Sequence, residues 1–192
     1  AMLRRLKETA HRLALPACVL TFEPHPREFF SPDQAPVRLS SLREKMSYLI
    51  DAGIDCIHVC QFDYEFAQIT PQQFIAHILN RTLKVRWLLV GDDFRFGARR
   101  SGDFNMLQAY SAANDFTVET MPSITLNGQR VSSTAIRQAL TGGDLNTARK
   151  LLGRTYSISG RVIHGDKLGK KIGFPTANIQ LQHNRPPLSG IF

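Results

Sequence analysis

Thr176 and Asn178 can hold a phosphate-bound cation between them. They close the stretch Gly160 to Asn178, GRVIHGDKLGKKIGFPTAN. Residues two apart on an extended chain point to the same side. A hydroxyl and an amide oxygen are then offered together, the kind of ligand Mg2+ prefers. Pro175 fixes its own φ and draws Phe174 toward extended geometry, which holds the two polar side chains in place. Gly160, Gly165, Gly169 and Gly173 let the backbone turn sharply or approach a ligand closely. Lys167, Lys170 and Lys171 add point charges for phosphate. A basic, glycine-rich hairpin with no ligand would share this composition.

Three other strings carry suitable groups. In Thr21-Phe22-Glu23-Pro24-His25-Pro26, two prolines fix where His25 points, toward a phosphate, a ring or open solvent. In Val90-Gly91-Asp92-Asp93-Phe94-Arg95-Phe96-Gly97, followed by Ala98-Arg99-Arg100-Ser101-Gly102-Asp103, carboxylates can accept from sugar or ribityl hydroxyls. Phe94 and Phe96 can stack on a flat ring, and the arginines can reach phosphate. A surface Arg–Asp network over two buried rings would look the same. In Arg130-Val131-Ser132-Ser133-Thr134-Ala135-Ile136-Arg137, hydroxyls precede a helix whose free N–H groups and dipole favour an anion. Arg137 lies one turn in, on the same face as Ser133 and Thr134. A plain Ser/Thr cap fits that spacing equally well.

The elements that must position these strings alternate. Leu3, Leu6, Ala10 and Leu13 recur at helical spacing, ending before Pro16. The apolar run 17–22 reads as a buried strand. Helices are expected at 41–52, at 71–83 with Thr70 as cap and Pro71 in its first turn, and at 103–114. Strands are expected at 54–62, 87–90 and 116–120. Such alternation predicts an open, parallel α/β sheet. Ligands on such sheets sit beyond the carboxyl ends of the strands, where the first two strings lie. A cap helix through Leu140 and a short helix at 144–152 follow, and Gly153 ends the second. A strand at 156–163 then alternates as an antiparallel barrel strand would.

Of 192 residues, 43% are hydrophobic and 21% charged, a globular composition. No apolar run approaches the roughly 20 residues of a membrane helix. Three cysteines, Cys18, Cys56 and Cys60, are a sparse and odd set that argues for free thiols and a cytoplasmic location. The net charge of +8 is uneven: residues 154–192 hold six Lys/Arg against one acidic residue, and residues 1–153 hold 18 against 15. That shift marks a boundary after Gly153 and puts the basic excess with the glycine loop. Both ends read as cut, the first inside a helix and the last at the start of a strand. Cys56, His58 and Cys60 alternate on one strand as three potential zinc ligands, but buried cysteines are the preferred reading.

The string Gly173-Phe174-Pro175-Thr176-Ala177-Asn178 behind a glycine-rich loop closely resembles the start of a riboflavin kinase domain. TFEPHP, GDDFRFG and VSSTAIR, in that order, resemble the adenylyltransferase half of the bacterial bifunctional riboflavin kinase/FAD synthetase family. The resemblance covers essentially the whole chain. It implies an open-sheet, Rossmann-like nucleotidylyltransferase domain over 1–153 and the beginning of an antiparallel β-barrel kinase domain over 154–192. It implies Mg2+ as cofactor, with ATP, riboflavin and FMN as substrates. Ser132, Ser133, Thr134 and Arg137, with Arg130 as a further candidate, would take the ATP phosphates of the adenylyltransferase. His25, Asp93, Phe94 and Phe96 would line the flavin–nucleotide pocket. Gly165, Lys167, Gly169 and Gly173 would cover the kinase nucleotide, with Thr176 and Asn178 on Mg2+–ATP.

The family's H-x-G-H element does not occur in this sequence, and its place would be upstream of Ala1. The kinase glutamate is likewise expected beyond Phe192. Catalytic residues are thus expected outside these residues, which alone are expected to be inactive in both reactions. A different small-molecule nucleotidylyltransferase would share VSSTAIR without needing GFPTAN. A nucleic-acid module would need cations interleaved with exposed aromatics, so neither a nucleic-acid nor a membrane partner is expected. The oligomeric state is left open.

Overall fold

The computed structural model describes residues 1–163, 178–181 and 186–188. It divides into two compact units: Ala1–Ala35 with Leu49–Ile124, and Pro36–Tyr48 with Thr125–Phe192.

In the first unit, helix α1 (Met2–Leu13) turns its Leu3, Leu6 and Ala10 onto Ala17 and Ile54. It stops where Ala14 adopts a left-handed backbone. Strand β1 (Cys18–Glu23) pairs in parallel with β2 (Cys56–Gln61), in the register Cys18↔Cys56 to Glu23↔Gln61. Strand β3 (Trp87–Gly91) pairs in parallel with β4 (Thr117–Met121). Among the described residues no ladder joins these two pairs, so the strands form separate two-stranded sheets rather than one continuous sheet. Side chains join them instead: Leu20 and Phe22 of β1 pack on a core that includes Val90 of β3, Leu107 and Phe116.

The linking helices start where the local chemistry dictates. Thr70 and Gln73 form a reciprocal capping box with Pro71 in the first turn. The helix begins with an α-turn, Pro71–Gln73 (α5), and continues with π-helical spacing through Phe74–Thr82, placing Phe74, Ile75 and Leu79 in the core. Two five-residue helices were not expected from the sequence, α2 (Pro26–Phe30) and α4 (Tyr64–Gln68). Each is too short to show a periodicity. Asp103 caps α6 (Phe104–Ala112), accepting from the Met106 amide at 3.0 Å. Asp103→Ala should cost about 1 kcal/mol, a fall in melting temperature of about 2–4 °C. Asp103→Asn should leave the melting curve nearly unchanged.

In the second unit, α3 (Leu42–Asp51) begins at Ser41 and crosses the division between the units at Tyr48 and Leu49. A small hairpin, β5 (Thr125–Leu126) and β6 (Gln129–Arg130), turns through Asn127-Gly128. Helices α7 (Ser133–Thr141) and α8 (Leu145–Leu152) pack through Ile136, Leu140, Ala148 and Leu151. The strand expected over 156–163 is shorter. Only β7 (Arg161–Ile163) pairs, antiparallel with β8 (Asn178–Gln180). Upstream of it, the Ser159 amide donates to Glu44 Oε1 and the Ser157 and Tyr48 hydroxyls share a hydrogen bond. These residues are held by α3 instead of a ladder. Among the described residues no sheet closes into a barrel.

Candidate active site

The first unit encloses a cavity of about 870 Å3. Its walls come from Phe22 at the end of β1, from Phe62 and Tyr64 just after β2, and from residues 94–100 after β3. It therefore lies beyond the carboxyl ends of parallel strands, as the alternation of elements predicts. The aromatic wall is a chain of ring contacts. Phe22 meets Phe62 and Phe66 edge to face at 6.0 and 5.7 Å between centroids. Phe94 stacks on Phe96 at 5.6 Å with an angle of 18° between rings. Phe96 is 5% exposed and belongs to the core, whereas Phe30 and Tyr64 are open to solvent.

Local chemistry holds that wall rigid. Asp63 caps α4 by accepting from the Phe66 amide at 2.8 Å. Phe96 and Gly102 exchange two backbone hydrogen bonds, at 3.1 and 2.9 Å, closing the loop between them. The Ala98 amide ties that loop to the Ile69 carbonyl at 2.7 Å.

The cavity has one sign of charge. Arg27, Arg95, Arg99 and Arg100 line it and no Asp or Glu does. All four are exposed, and among the described residues none forms an ion pair. An aromatic wall with a cationic rim suits a ring-bearing ligand with negative charge.

Of the pocket residues read from the sequence, Phe94 and Phe96 line this cavity; His25 and Asp93 are not among its lining residues. His25 sits at the N-cap of α2, where its Nδ1 accepts from the Arg27 amide at 3.2 Å and its own amide donates to Glu28. Asp92 accepts from the amide and hydroxyl of Ser123. Sequence reasoning missed Arg27, Phe30, Phe62, Tyr64 and Phe66. The signal was present as the aromatic density of Phe29-Phe30 and Phe62-Asp63-Tyr64-Glu65-Phe66, directly behind two strands.

In the second unit, Ser132 caps α7, its Oγ accepting from the Ala135 amide at 3.2 Å. Ser133 and Thr134 are exposed in the first turn, where helix geometry leaves amides without intrahelical acceptors. Arg130 ends β6 and is exposed. Arg137 donates from Nε to the Val37 carbonyl at 2.6 Å, tying segment 36–48 to α7. Asn178 opens β8 opposite Ile163 and is exposed. Gly165, Lys167, Gly169, Gly173 and Thr176 lie outside the described residues.

The cysteines do not gather with His58 into a metal-binding group among the described residues. Cys18 stands opposite Cys56, and burial together with the hydrogen bond to Cys56 pushes its thiol up to about 12. Burial alone pushes Cys60 up to about 11. Both stay protonated at neutral pH and are poor nucleophiles.

An α/β unit whose parallel strands end in an aromatic, guanidinium-rimmed cavity is of the class that places its ligand site beyond the strand ends. The comparisons narrow the class. Residues 1–135 match the family model described as FAD synthetase, and the chain belongs to that family. Residues 152–192 match the model described as riboflavin kinase. The chain is 46% identical over 192 residues to the bifunctional riboflavin kinase/FMN adenylyltransferase of Escherichia coli (strain K12), covering 100% of this chain and 61% of that protein. It is 49% identical over 191 residues to the protein of the same name from Haemophilus influenzae, covering 100% of this chain and 62% of the relative. The chain thus spans about three-fifths of the length of these curated relatives. A crystal structure described as a macrolide-efflux protein from Streptococcus pneumoniae superposes with a TM-score of 0.76 at 28% identity, over 94% of this chain and 59% of that one. Among the described residues no helix is long and apolar enough to cross a membrane.

Proposed function

We propose that this chain serves FAD biosynthesis, with ATP-dependent phosphorylation of riboflavin to FMN and adenylylation of FMN to FAD. The cavity carries the reading: an aromatic floor under four guanidiniums, in a chain that matches both the FAD synthetase and the riboflavin kinase models. Residues 1–153 are the adenylyltransferase part, an open-sheet nucleotidylyltransferase domain, and residues 154–192 begin the barrel-type kinase part. The match ranges, 1–135 and 152–192, support that division.

In the adenylyltransferase, the isoalloxazine ring lies against Phe94, with Phe96 stacked behind it, and His25 and Asp93 stand at the same strand ends. Ser132, Ser133, Thr134, Arg137 and Arg130 take the ATP phosphates. The first turn of α7 suits this role because its amides point out of the helix and its dipole favours negative charge. A flavin phosphate oxygen forms a bond to the α-phosphorus of ATP as the bond to pyrophosphate breaks. The side chains then need only position two anions and offset their repulsion. In the kinase part, Thr176 and Asn178 would hold Mg2+, which would neutralise phosphate charge, and Gly165 to Gly173 would cover the nucleotide. The substrates are small molecules, with neither nucleic acid nor membrane as partner, and the location is cytoplasmic.

The test separates the two activities in the full-length protein. Thr134→Ala should slow FAD formation from FMN and Mg2+–ATP at least about tenfold, the loss of one charge-assisted hydrogen bond. FMN formation from riboflavin should stay within about twofold of wild type. Asn178→Ala should show the reverse pattern. Equal losses of both activities in both variants would refute the assignment of each residue to one reaction.

A further inference from the structure

The loop after β3 contains two consecutive non-glycine residues with left-handed backbone: Arg99 at φ 55° and Arg100 at φ 57°. Side chains rarely adopt that conformation, and two in succession cost free energy that two glycines would not. The surrounding structure enforces it. The Arg100 amide donates to the Gly97 carbonyl at 3.0 Å. Ser101 donates to the Ala98 carbonyl from its amide at 3.2 Å and from its hydroxyl at 2.8 Å. The paired Phe96 and Gly102 close the base of the loop. Both guanidiniums therefore leave a fixed turn at the cavity wall, exposed and without an ion-pair partner among the described residues.

We infer that the Arg99–Arg100 turn selects the phosphorylated flavin over riboflavin for adenylylation; the inference rests on the flavin reading of the cavity proposed above. The aromatic floor cannot discriminate, because FMN and riboflavin share the same ring. They differ at the far end of the ribityl chain, a phosphate dianion against a hydroxyl. A wall with four cations and no carboxylate favours the dianion.

The variant for the test is Arg99→Gly combined with Arg100→Gly. Glycine accepts the left-handed backbone without strain, so the change removes both charges while relaxing the turn. In the full-length enzyme, FAD formation is measured against FMN and against ATP. Lumiflavin serves as the competitor, since it carries the ring but no ribityl chain and cannot be phosphorylated. The KM for FMN should rise at least about tenfold, with the KM for ATP and the inhibition constant of lumiflavin within about twofold of wild type. The charge-preserving pair Arg99→Lys and Arg100→Lys should recover most of the loss. A KM for FMN within twofold of wild type, with lumiflavin still competing, would overturn the role of the arginines and leave the flavin pocket standing. A rise in the KM for ATP instead would assign them to the donor and overturn the inference. Lumiflavin failing to compete with FMN in the wild-type enzyme would remove the pocket reading and this inference with it.

Discussion

Gly97→Ala should destabilise the first unit by about 3 kcal/mol or more and reshape the aromatic cavity. Two effects add. Gly97 has φ 70° and ψ 176°, a region open essentially to glycine alone, and forcing another residue there costs about 1–3 kcal/mol. An added Cβ would also stand 2.6 Å from the nitrogen of Pro71 and 2.8 Å from two of its ring carbons. Pro71 is buried at the start of α5 and its ring cannot rotate away, so relief requires moving α5 or the loop, an overpacking cost of about 1–3 kcal/mol. Either movement displaces Ala98 from Ile69 and reshapes the wall that carries Phe94, Phe96 and the arginines. The melting temperature should fall by roughly 6–12 °C, together with loss of the FAD formation proposed for this cavity. Gly143→Ala is the control. Its φ is 74°, but nothing lies within 4 Å of the added Cβ. It should cost only about 1 kcal/mol. Equal losses in the two variants would show that the backbone conformation, and not the Pro71 contact, sets the cost.

The second large effect concerns Glu44, a carboxylate only 8% exposed. Its Oε2 accepts from the Ser41 amide at 2.7 Å and from the Ser41 hydroxyl at 3.0 Å. Its Oε1 accepts from the Ser159 amide at 2.9 Å. Beside this contact, Arg154 stacks on the Tyr48 ring at 3.8 Å, so α3 and residues 154–159 are fastened together. Glu44→Ala leaves two backbone N–H groups without acceptors and should cost about 2–4 kcal/mol. Glu44→Gln keeps one oxygen and turns an NH2 toward the other donor, so it should cost less, about 1–2 kcal/mol.

The pH dependence has a definite sign. Burial pushes the Glu44 carboxyl up, but the hydrogen bonds from Ser41 and Ser159 outweigh it, and the net position is below the ordinary 4.5. A folded value below the unfolded one gives stability that is complete above pH 4.5 and lost as pH falls through the folded value. The gap in melting temperature between wild type and Glu44→Gln should therefore be constant near neutrality and narrow below pH 4.5. A gap of the same size at pH 3.5 and pH 7 would rule out the ionised carboxylate as its source.

These two sites show what could be read locally and what could not. Thr70-Pro71 marks a helix start because such signals act over three or four residues, whereas the capping-box spacing of Ser41 and Glu44 carried the same signal and was overlooked. The alternation of strand and helix, and the placing of ligand groups beyond the strand ends, were legible for the same reason: side-chain periodicity follows from backbone geometry alone. The β5–β6 hairpin carried its Asn-Gly signal and was overlooked. Residues 156–160 read as strand because their alternation is real. They are drawn away by Tyr48 and Glu44, more than a hundred positions earlier.

By itself, the sequence determined the class of elements, the family motifs and the kinds of ligand they suit. Those depend on residue type, short-range spacing and charge. Only the tertiary structure decided that Phe22, Phe62, Phe94 and Arg99, spread over nearly eighty positions, line one cavity, while His25 caps a short helix and Arg137 holds Val37. Such choices depend on which distant groups compete for the same hydrogen bond or the same volume. That competition is settled only when the chain is packed, because burial makes an unmatched donor or an empty space costly wherever in the sequence it arises.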